Sequence, residues 1–178
     1  MTPTPLHVLI VEDSADDAEL LLRELRRGGY GPVCERVETV AAMQAALTRQ
    51  TWDLVVSDHS VLQFDSLAAL NVLKASRADI PFIIVSGTIG EELAVQAMKA
   101  GASDYLVKGK LARLIPVVGR ELADAQARRA RRAAEQALFA IVSSRPCWNW
   151  QLRTKRRWRA GPEHSICATG KPKDTAGA

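Results

Sequence analysis

Short apolar runs alternate along the chain with segments whose apolar residues recur every three or four positions. The apolar runs predict five strands, at residues 6–11, 32–37, 52–57, 80–85 and 103–107. A periodic segment follows each run and predicts a helix. Five strands that alternate with five helices predict an α/β fold, in which a doubly wound parallel sheet is covered by helices on both faces.

Polar residues and prolines mark the starts of the predicted helices. Ser14 and Thr39 are expected to cap the first and second helices, and the spacing of Thr88 and Glu91 is that of a capping box. Pro116 suits the first turn of the last helix, where its missing N–H costs nothing. These signals support the alternation that the apolar pattern indicates.

The sharpest change from apolar to polar lies within Leu54-Val55-Val56-Ser57-Asp58. A run of this kind is typical of a buried strand, and here it leads directly into a carboxylate. Such a carboxylate either caps a helix or carries chemistry. Residues 59–62 do not begin a good helix, so the pattern favours a chemical role for Asp58.

Other predicted strands also end in polar groups: Glu12 and Asp13, Ser86, and Lys108. Ligands of such sheets bind at the carboxyl ends of the strands, so we expect these side chains to meet Asp58 there. Three neighbouring carboxylates repel one another unless a cation joins them, and oxygen ligands without His or Cys suit Mg²⁺. An aspartate beside Mg²⁺ can attack phosphorus, while Lys108 and Ser86 offer a charge and a hydroxyl to a phosphate.

Each of these residues also has a simpler interpretation when taken alone. Glu12 and Asp13 could merely favour the N-terminus of the first helix, and Ser86 could be a turn residue. Tyr105 could be ordinary core, and His59 is expected to be an exposed loop residue without a metal role. Convergence of charged groups at one sheet edge favours a functional site over these interpretations.

From about residue 6 to residue 122, the sequence resembles the receiver domain of two-component response regulators. The residues that carry the resemblance are Val11-Glu12-Asp13-Ser14, Ser57-Asp58, Val85-Ser86-Gly87, Tyr105 and Lys108. Residues 81–92 resemble the branch of receivers that heads multidomain sensor proteins. The resemblance implies a flavodoxin-like strand order 2-1-3-4-5, here followed by an extended C-terminal helix and an irregular tail.

The resemblance also implies a function, a phosphoryl-accepting step in a two-component phosphorelay. Asp58 would accept the phosphoryl group from a histidine kinase or phosphotransfer protein, and the receiver would catalyse its own phosphorylation and dephosphorylation. Mg²⁺ would be bound by Asp13, Asp58 and the backbone carbonyl of Ser60, with Glu12 acting partly through water. Lys108 would contact the phosphoryl group.

Ser86 and Tyr105 match the family's switch pair, which would change the surface formed by the fourth helix, fifth strand and fifth helix. A homodimer through that surface, or through the C-terminal helix, is one assembly that the resemblance allows. Two loops depart from the family pattern. Gly109 stands where the family usually has proline after the lysine, and Val61-Leu62 replace a usual Met/Leu-Pro. These departures concern the stiffness of the loops, not the presence of the acceptor.

Charge divides the chain into three parts, which we take as a receiver domain (1–122), a helical extension (123–141) and a basic tail (142–178). Residues 1–117 carry 11 Lys/Arg and 15 Asp/Glu, whereas residues 142–178 carry 8 and 2. In the extension, four arginines at 128, 129, 131 and 132 interrupt a heptad-like spacing. The extension is therefore either a solvated continuation of the last helix or a signalling helix that pairs with a partner chain.

Tryptophan and arginine are interleaved in the tail without a sustained period, which predicts disorder. The tail is either what remains of a domain lost by truncation or frameshift, or an arm that binds nucleic acid or an acidic surface. The tail is too short for a helix-turn-helix, so we expect no nucleic-acid partner. The alternative function that we keep is a DNA-binding regulator, or a protein that binds nucleic acid through this basic tail. A histidine kinase is not indicated, because the sequence shows neither a nucleotide-binding glycine-rich segment nor a phospho-acceptor helix.

Composition adds a location and excludes some classes of site. Cys34, Cys147 and Cys167 are an odd number without C-x-x-C spacing, which suggests neither a disulfide framework nor a zinc site. No apolar run approaches the roughly 18 residues of a membrane span, and no signal peptide is apparent at the start. We therefore expect a cytoplasmic protein without membrane insertion.

Overall fold

The structure is a computed structural model and describes residues 2–59, 64–87 and 91–143. The described elements, in chain order, are β1 (Thr4–Val11), α1 (Ala15–Arg27), β2 (Tyr30–Val37), α2 (Val40–Arg49), β3 (Leu54–Asp58), α3 (Ser66–Ala75), β4 (Phe82–Ser86), α4 (Glu91–Lys99), β5 (Asp104–Val107), a 3-10 helix (Lys108–Arg113) and α5 (Leu114–Ser143). All strand pairs are parallel, and the order is β2-β1-β3-β4-β5. The doubly wound, flavodoxin-like sheet predicted from the sequence is confirmed.

The central strands β3 and β4 are buried along their whole length because each face of the sheet packs on a separate core. Alternate residues of the strands point to opposite faces. One core joins the sheet to α1 and α5 and includes Leu6, Val8, Ile10, Leu25, Leu54, Val56, Ile83, Val85, Leu106, Leu114 and Val118. The other joins it to α2, α3 and α4 and includes Leu9, Val11, Met43, Val55, Leu70, Phe82, Ile84 and Ala97. A buried sheet of this kind leaves its strand ends as the place for polar groups.

The predicted caps form at the first two helices. The Ser14 hydroxyl accepts from the Asp17 N–H at 3.2 Å, and the Thr39 hydroxyl accepts from the Ala42 N–H at 3.2 Å. Asp65, which the sequence pattern did not single out, caps α3 through the Ala68 N–H. Thr88, the proposed cap of α4, lies outside the described residues.

Helix α5 changes character along its 30 residues, which span about 45 Å at 1.5 Å per residue. It packs on the sheet as far as Ala125, and every described side chain from residue 126 onward is exposed. The chain divides into two compact units between Ala137 and Leu138, within this helix. Neither α5 nor any other helix of the described residues is both long and apolar enough to cross a membrane.

Three of the four arginines that interrupt the heptad spacing of α5 contact Asp79, in the loop before β4. Arg128 and Arg132 form ion pairs with the two carboxylate oxygens of Asp79, at 3.1 and 3.0 Å. Arg129 donates to the backbone carbonyl oxygen of Asp79 at 2.8 Å. Within the first unit, therefore, this exposed part of α5 is joined to the loop before β4 through Asp79.

Candidate functional site

Parallel pairing aligns the carboxyl ends of the central strands at one edge of the sheet. Val11 at the end of β1 pairs with Ser57 in β3, which places Glu12 and Asp13 beside the end of β3. Asp58 pairs with Val85 of β4, and Ser86 pairs with Val107 of β5. The residues predicted to form a site are therefore brought to one edge by the register of the sheet.

Three carboxylates meet at this edge and could hold a metal ion. One oxygen from each of Glu12, Asp13 and Asp58 lies within 4.8 Å of the others. Glu12 is 1% exposed and Asp58 is 8% exposed, whereas Asp13 is the most exposed of the three. Burial raises the pKa of Glu12 above its ordinary value, although the Ser14 N–H and Lys108 oppose the rise. The site thus concentrates negative charge where water solvates it poorly.

The two oxygens of Asp58 have different partners. The His59 N–H donates to Oδ1 at 2.7 Å, and Lys108 Nζ lies 3.2 Å from Oδ2. Asp58 is the last residue of a strand, so its carboxylate is placed by the sheet and then oriented by the first peptide of the following loop. This arrangement holds a charged group at the boundary between core and solvent.

His59 lies in the loop after β3, as expected, but the expectation that it is exposed is wrong. Its side chain is half-buried, and Nδ1 lies 2.9 Å from the hydroxyl oxygen of Ser66. Ser66 begins α3 and is fully buried, so the pair links the site loop to that helix. The link could not be read locally because Ser66 follows His59 by seven residues, across a segment that the sequence leaves irregular.

Lys108 forms ion pairs with three carboxylates, those of Glu12, Asp17 and Asp58. Its ammonium donates to Glu12 Oε2 at 3.0 Å and to Asp17 Oδ2, and it also faces Asp58. Burial alone would lower the pKa of Lys108, but the hydrogen bonds with Asp17 and Glu12 outweigh burial and raise it. Asp17 was not predicted to belong to the site. Its one sequence signal is its place among the acidic residues in the first turn of α1, a helix that begins just after the acidic pair.

Arg36 is a second residue that sequence reasoning missed. From β2 it donates through Nη1 to the backbone carbonyl oxygens of Glu12 at 3.0 Å and Asp13 at 2.9 Å. It also pairs with Glu38 at 2.5 Å. The guanidinium therefore restrains the loop that presents the acidic pair.

The remaining predicted residues lie on the neighbouring strands or outside the described part of the chain. Ser86 ends β4 and is 1% exposed. Tyr105 is half-buried in β5 and packs against the core on the α2–α3–α4 face, one strand away from Ser86. Ser60, proposed as a backbone ligand, and the loop residues Val61-Leu62 lie outside the described residues.

Comparison with known proteins agrees with this geometry. A family model described as the response regulator receiver domain matches residues 8–118. Transcriptional regulatory protein ZraR of Escherichia coli (strain K12) is 33% identical over 108 residues, which is 61% of this chain. That match covers 24% of ZraR, so the chain spans about a quarter of the length of this relative.

Two solved structures have a similar fold. Full-length FixJ from B. japonicum superposes with a TM-score of 0.63 at 29% identity, over 79% of this chain and 69% of FixJ. NtrX from Brucella abortus superposes with a TM-score of 0.64 at 27% identity, over 74% of this chain and 30% of NtrX. Together with the family match over most of the described residues, these similarities show that the chain belongs to the response regulator receiver family.

Proposed function

We propose that this receiver accepts a phosphoryl group on Asp58 as a step in a two-component phosphorelay. The observation that carries the proposal is the position of Asp58. It ends a fully buried strand between an acidic pair and the ammonium of Lys108. A carboxylate buried in this way and oriented by the His59 N–H is suited to act as a nucleophile rather than as a surface charge.

The residues present fit Mg²⁺. Glu12, Asp13 and Asp58 offer hard oxygen ligands. Burial raises the pKa of Glu12, and a bound cation would favour its charged form. The carbonyl of Ser60, outside the described residues, is the proposed additional ligand. When bound, Mg²⁺ would neutralise charge on the transferring phosphoryl group.

The proposed reaction moves one phosphoryl group between two side chains. A carboxylate oxygen of Asp58 attacks the phosphorus of a phosphohistidine on a histidine kinase or phosphotransfer protein. A P–O bond forms as the P–N bond breaks, and the imidazole nitrogen leaves with the bonding electron pair and takes up a proton. Lys108 stabilises the negative charge on the phosphoryl oxygens, and the Ser86 hydroxyl donates to one of them.

The proposed output follows from Ser86 and Tyr105. A hydrogen bond from Ser86 to the phosphoryl group would draw the loop after β4 inward and free space for the Tyr105 ring. Such a change biases an existing two-state equilibrium at the surface of α4, β5 and α5. That surface, or α5, is the proposed place for homodimer formation.

The domain division proposed from the sequence places the receiver at 1–122, the helical extension at 123–141 and the tail at 142–178. Residues 144–178 of the tail lie outside the described residues, and an arm that binds nucleic acid stays the alternative function. Such binding would be seen as a shift with random duplex DNA that weakens steeply as salt is added.

Incubation with acetyl phosphate and Mg²⁺ tests the main proposal. The wild-type protein should gain one base-labile phosphate by intact mass, and Asp58→Asn should gain none. Asp53→Asn is the matched control, because Asp53 immediately precedes the same strand at its opposite end and pairs with His7. Labelling of Asp58→Asn to the wild-type extent would refute the assignment of the acceptor.

A further inference from the structure

We propose that Asp17 is a positioning residue that holds the Lys108 ammonium when a divalent cation binds Glu12 and Asp58. The Lys108 ammonium has three N–H groups and faces three carboxylates. Two of these, Glu12 and Asp58, belong to the cluster that could hold a metal, and Asp17 does not. Asp17 is therefore the partner that Lys108 keeps when the other two turn to a cation.

The placement of the two residues makes this role possible. Asp17 lies in the first turn of α1, and Lys108 is the first residue after β5. They are 91 residues apart in sequence, and the Lys108 side chain is 21% exposed while that of Asp17 is 40% exposed. Asp17 thus meets the lysine with a carboxylate that is far more exposed than that of the buried Glu12.

Charge balance gives Asp17 its effect. A divalent cation held by Glu12, Asp13 and Asp58 would share two carboxylates with the Lys108 ammonium, and the two positive charges would repel. A carboxylate that contacts Lys108 but does not belong to the acidic cluster offsets part of that repulsion and gives the ammonium a partner other than the metal ligands. The proposal rests on the proposed function only in taking Mg²⁺ as the ion at this site.

The simpler interpretation is that Asp17 only stabilises the positive N-terminus of α1. Asp16 provides the matched control for that interpretation, because it is an exposed acidic residue in the same helical turn. Among the described residues, the ion pairs of Lys108 are with Glu12, Asp17 and Asp58 and do not include Asp16.

A double-mutant cycle on Mg²⁺ affinity tests the role, with binding measured by calorimetry in the absence of phosphate. Asp17→Asn should weaken Mg²⁺ binding about five- to tenfold, because the uncompensated Lys108 then competes for Glu12 and Asp58. Asp17→Glu should stay within about twofold of wild type, as should Asp16→Asn. With Lys108→Ala in the background, Asp17→Asn should change affinity less than about twofold. An equal loss in Asp16→Asn and Asp17→Asn, or an undiminished effect without Lys108, would overturn the proposal.

A second readout needs no metal. In the metal-free protein, the side-chain ¹⁵Nζ–¹³Cε signal of Lys108 should move in Asp17→Asn and stay in place in Asp16→Asn. If these results hold while Asp58 takes no phosphate, the proposed phosphoryl transfer fails and the role of Asp17 stands. If Asp58 is labelled and the Lys108 signal is the same in both variants, the role of Asp17 fails alone.

Discussion

Replacing Asp79 by asparagine should loosen the exposed part of α5 without disturbing the receiver core. The Asp79 side chain is 17% exposed and its carboxylate pairs with Arg128 and Arg132. Asparagine keeps the size of the side chain but removes its charge. The bond from Arg129 to the Asp79 carbonyl oxygen is left in place, so the loss is confined to the two ion pairs.

The magnitude follows from the exposure of the partners. The side chains of Arg128 and Arg132 are 44% and 61% exposed, so water screens both pairs. Exposed pairs contribute about 0.2–1 kcal/mol each, which gives about 1 kcal/mol for the two. Since 1.4 kcal/mol corresponds to about a tenfold change in an equilibrium, local opening of the helix should increase about fivefold.

Hydrogen exchange followed by mass spectrometry measures this opening. In Asp79→Asn, amides of residues 126–137 should exchange about fivefold faster, while those of β3 and β4 should keep their protection. Arg131→Gln is the control, because Arg131 pairs with Glu135 within the helix and such a pair contributes only about 0.3–0.5 kcal/mol. Exchange in Asp79→Asn that equals the wild-type rate, or that of the control, would refute the attachment of α5 through Asp79.

Three other substitutions or additions give separate tests. Gly28→Ala should lower the free energy of unfolding by about 1–3 kcal/mol in urea titrations, because a Cβ there would lie 2.4 Å from Ile115 Cδ1. Unchanged stability would show that the Ile115 side chain moves aside without a free-energy cost. Ser86→Ala should still accept phosphate, but beryllofluoride with Mg²⁺ should shift the amides around Tyr105 far less than in wild type, and an unchanged response would exclude the switch pair. Saturating Mg²⁺, at about 100 times the wild-type dissociation constant, should raise the free energy of unfolding by about 2.7 kcal/mol, which thermal melts measure. An equal gain in Asp58→Asn at the same Mg²⁺ concentration would place the ion elsewhere.

Most of the fold could be predicted because its signals are local. Apolar runs and helix caps act within a few residues, and they placed all five strands correctly in order. The observed ends of the strands differ from the predicted ends by at most two residues, because strand pairing rather than hydropathy sets them. Trp52, for example, was assigned to the third strand but lies before it, where it is buried and its indole N–H donates to the Ala46 carbonyl oxygen at 3.0 Å.

The parts of the site that could not be predicted depend on contacts between distant segments. Arg36 meets the carbonyl of Glu12 across 24 residues, and the arginines of α5 reach Asp79 across about 50. A local pattern shows such arginines only as charged residues on a helix or strand. Strand-end carboxylates were easier to recognise, because a charge that follows a buried strand is itself unusual.

The apolar character of both faces of the central strands has a consequence for how the chain finds its alignment during folding. In a sheet with one solvent-exposed face, a shift of one residue in the register of a strand would expose its core side chains and is strongly disfavoured. Here β3 and β4 are buried on both faces, so a slipped strand would still present valine, isoleucine or leucine to each core. The penalty for slipping then falls on the polar residues at the strand ends, since Asp58 or Ser86 would be drawn one position into the apolar interior. The polar side chains of Asp58 and Ser86 would thus also help to fix the register of the strands. Replacing them with apolar residues would lower the free-energy cost of a shifted register.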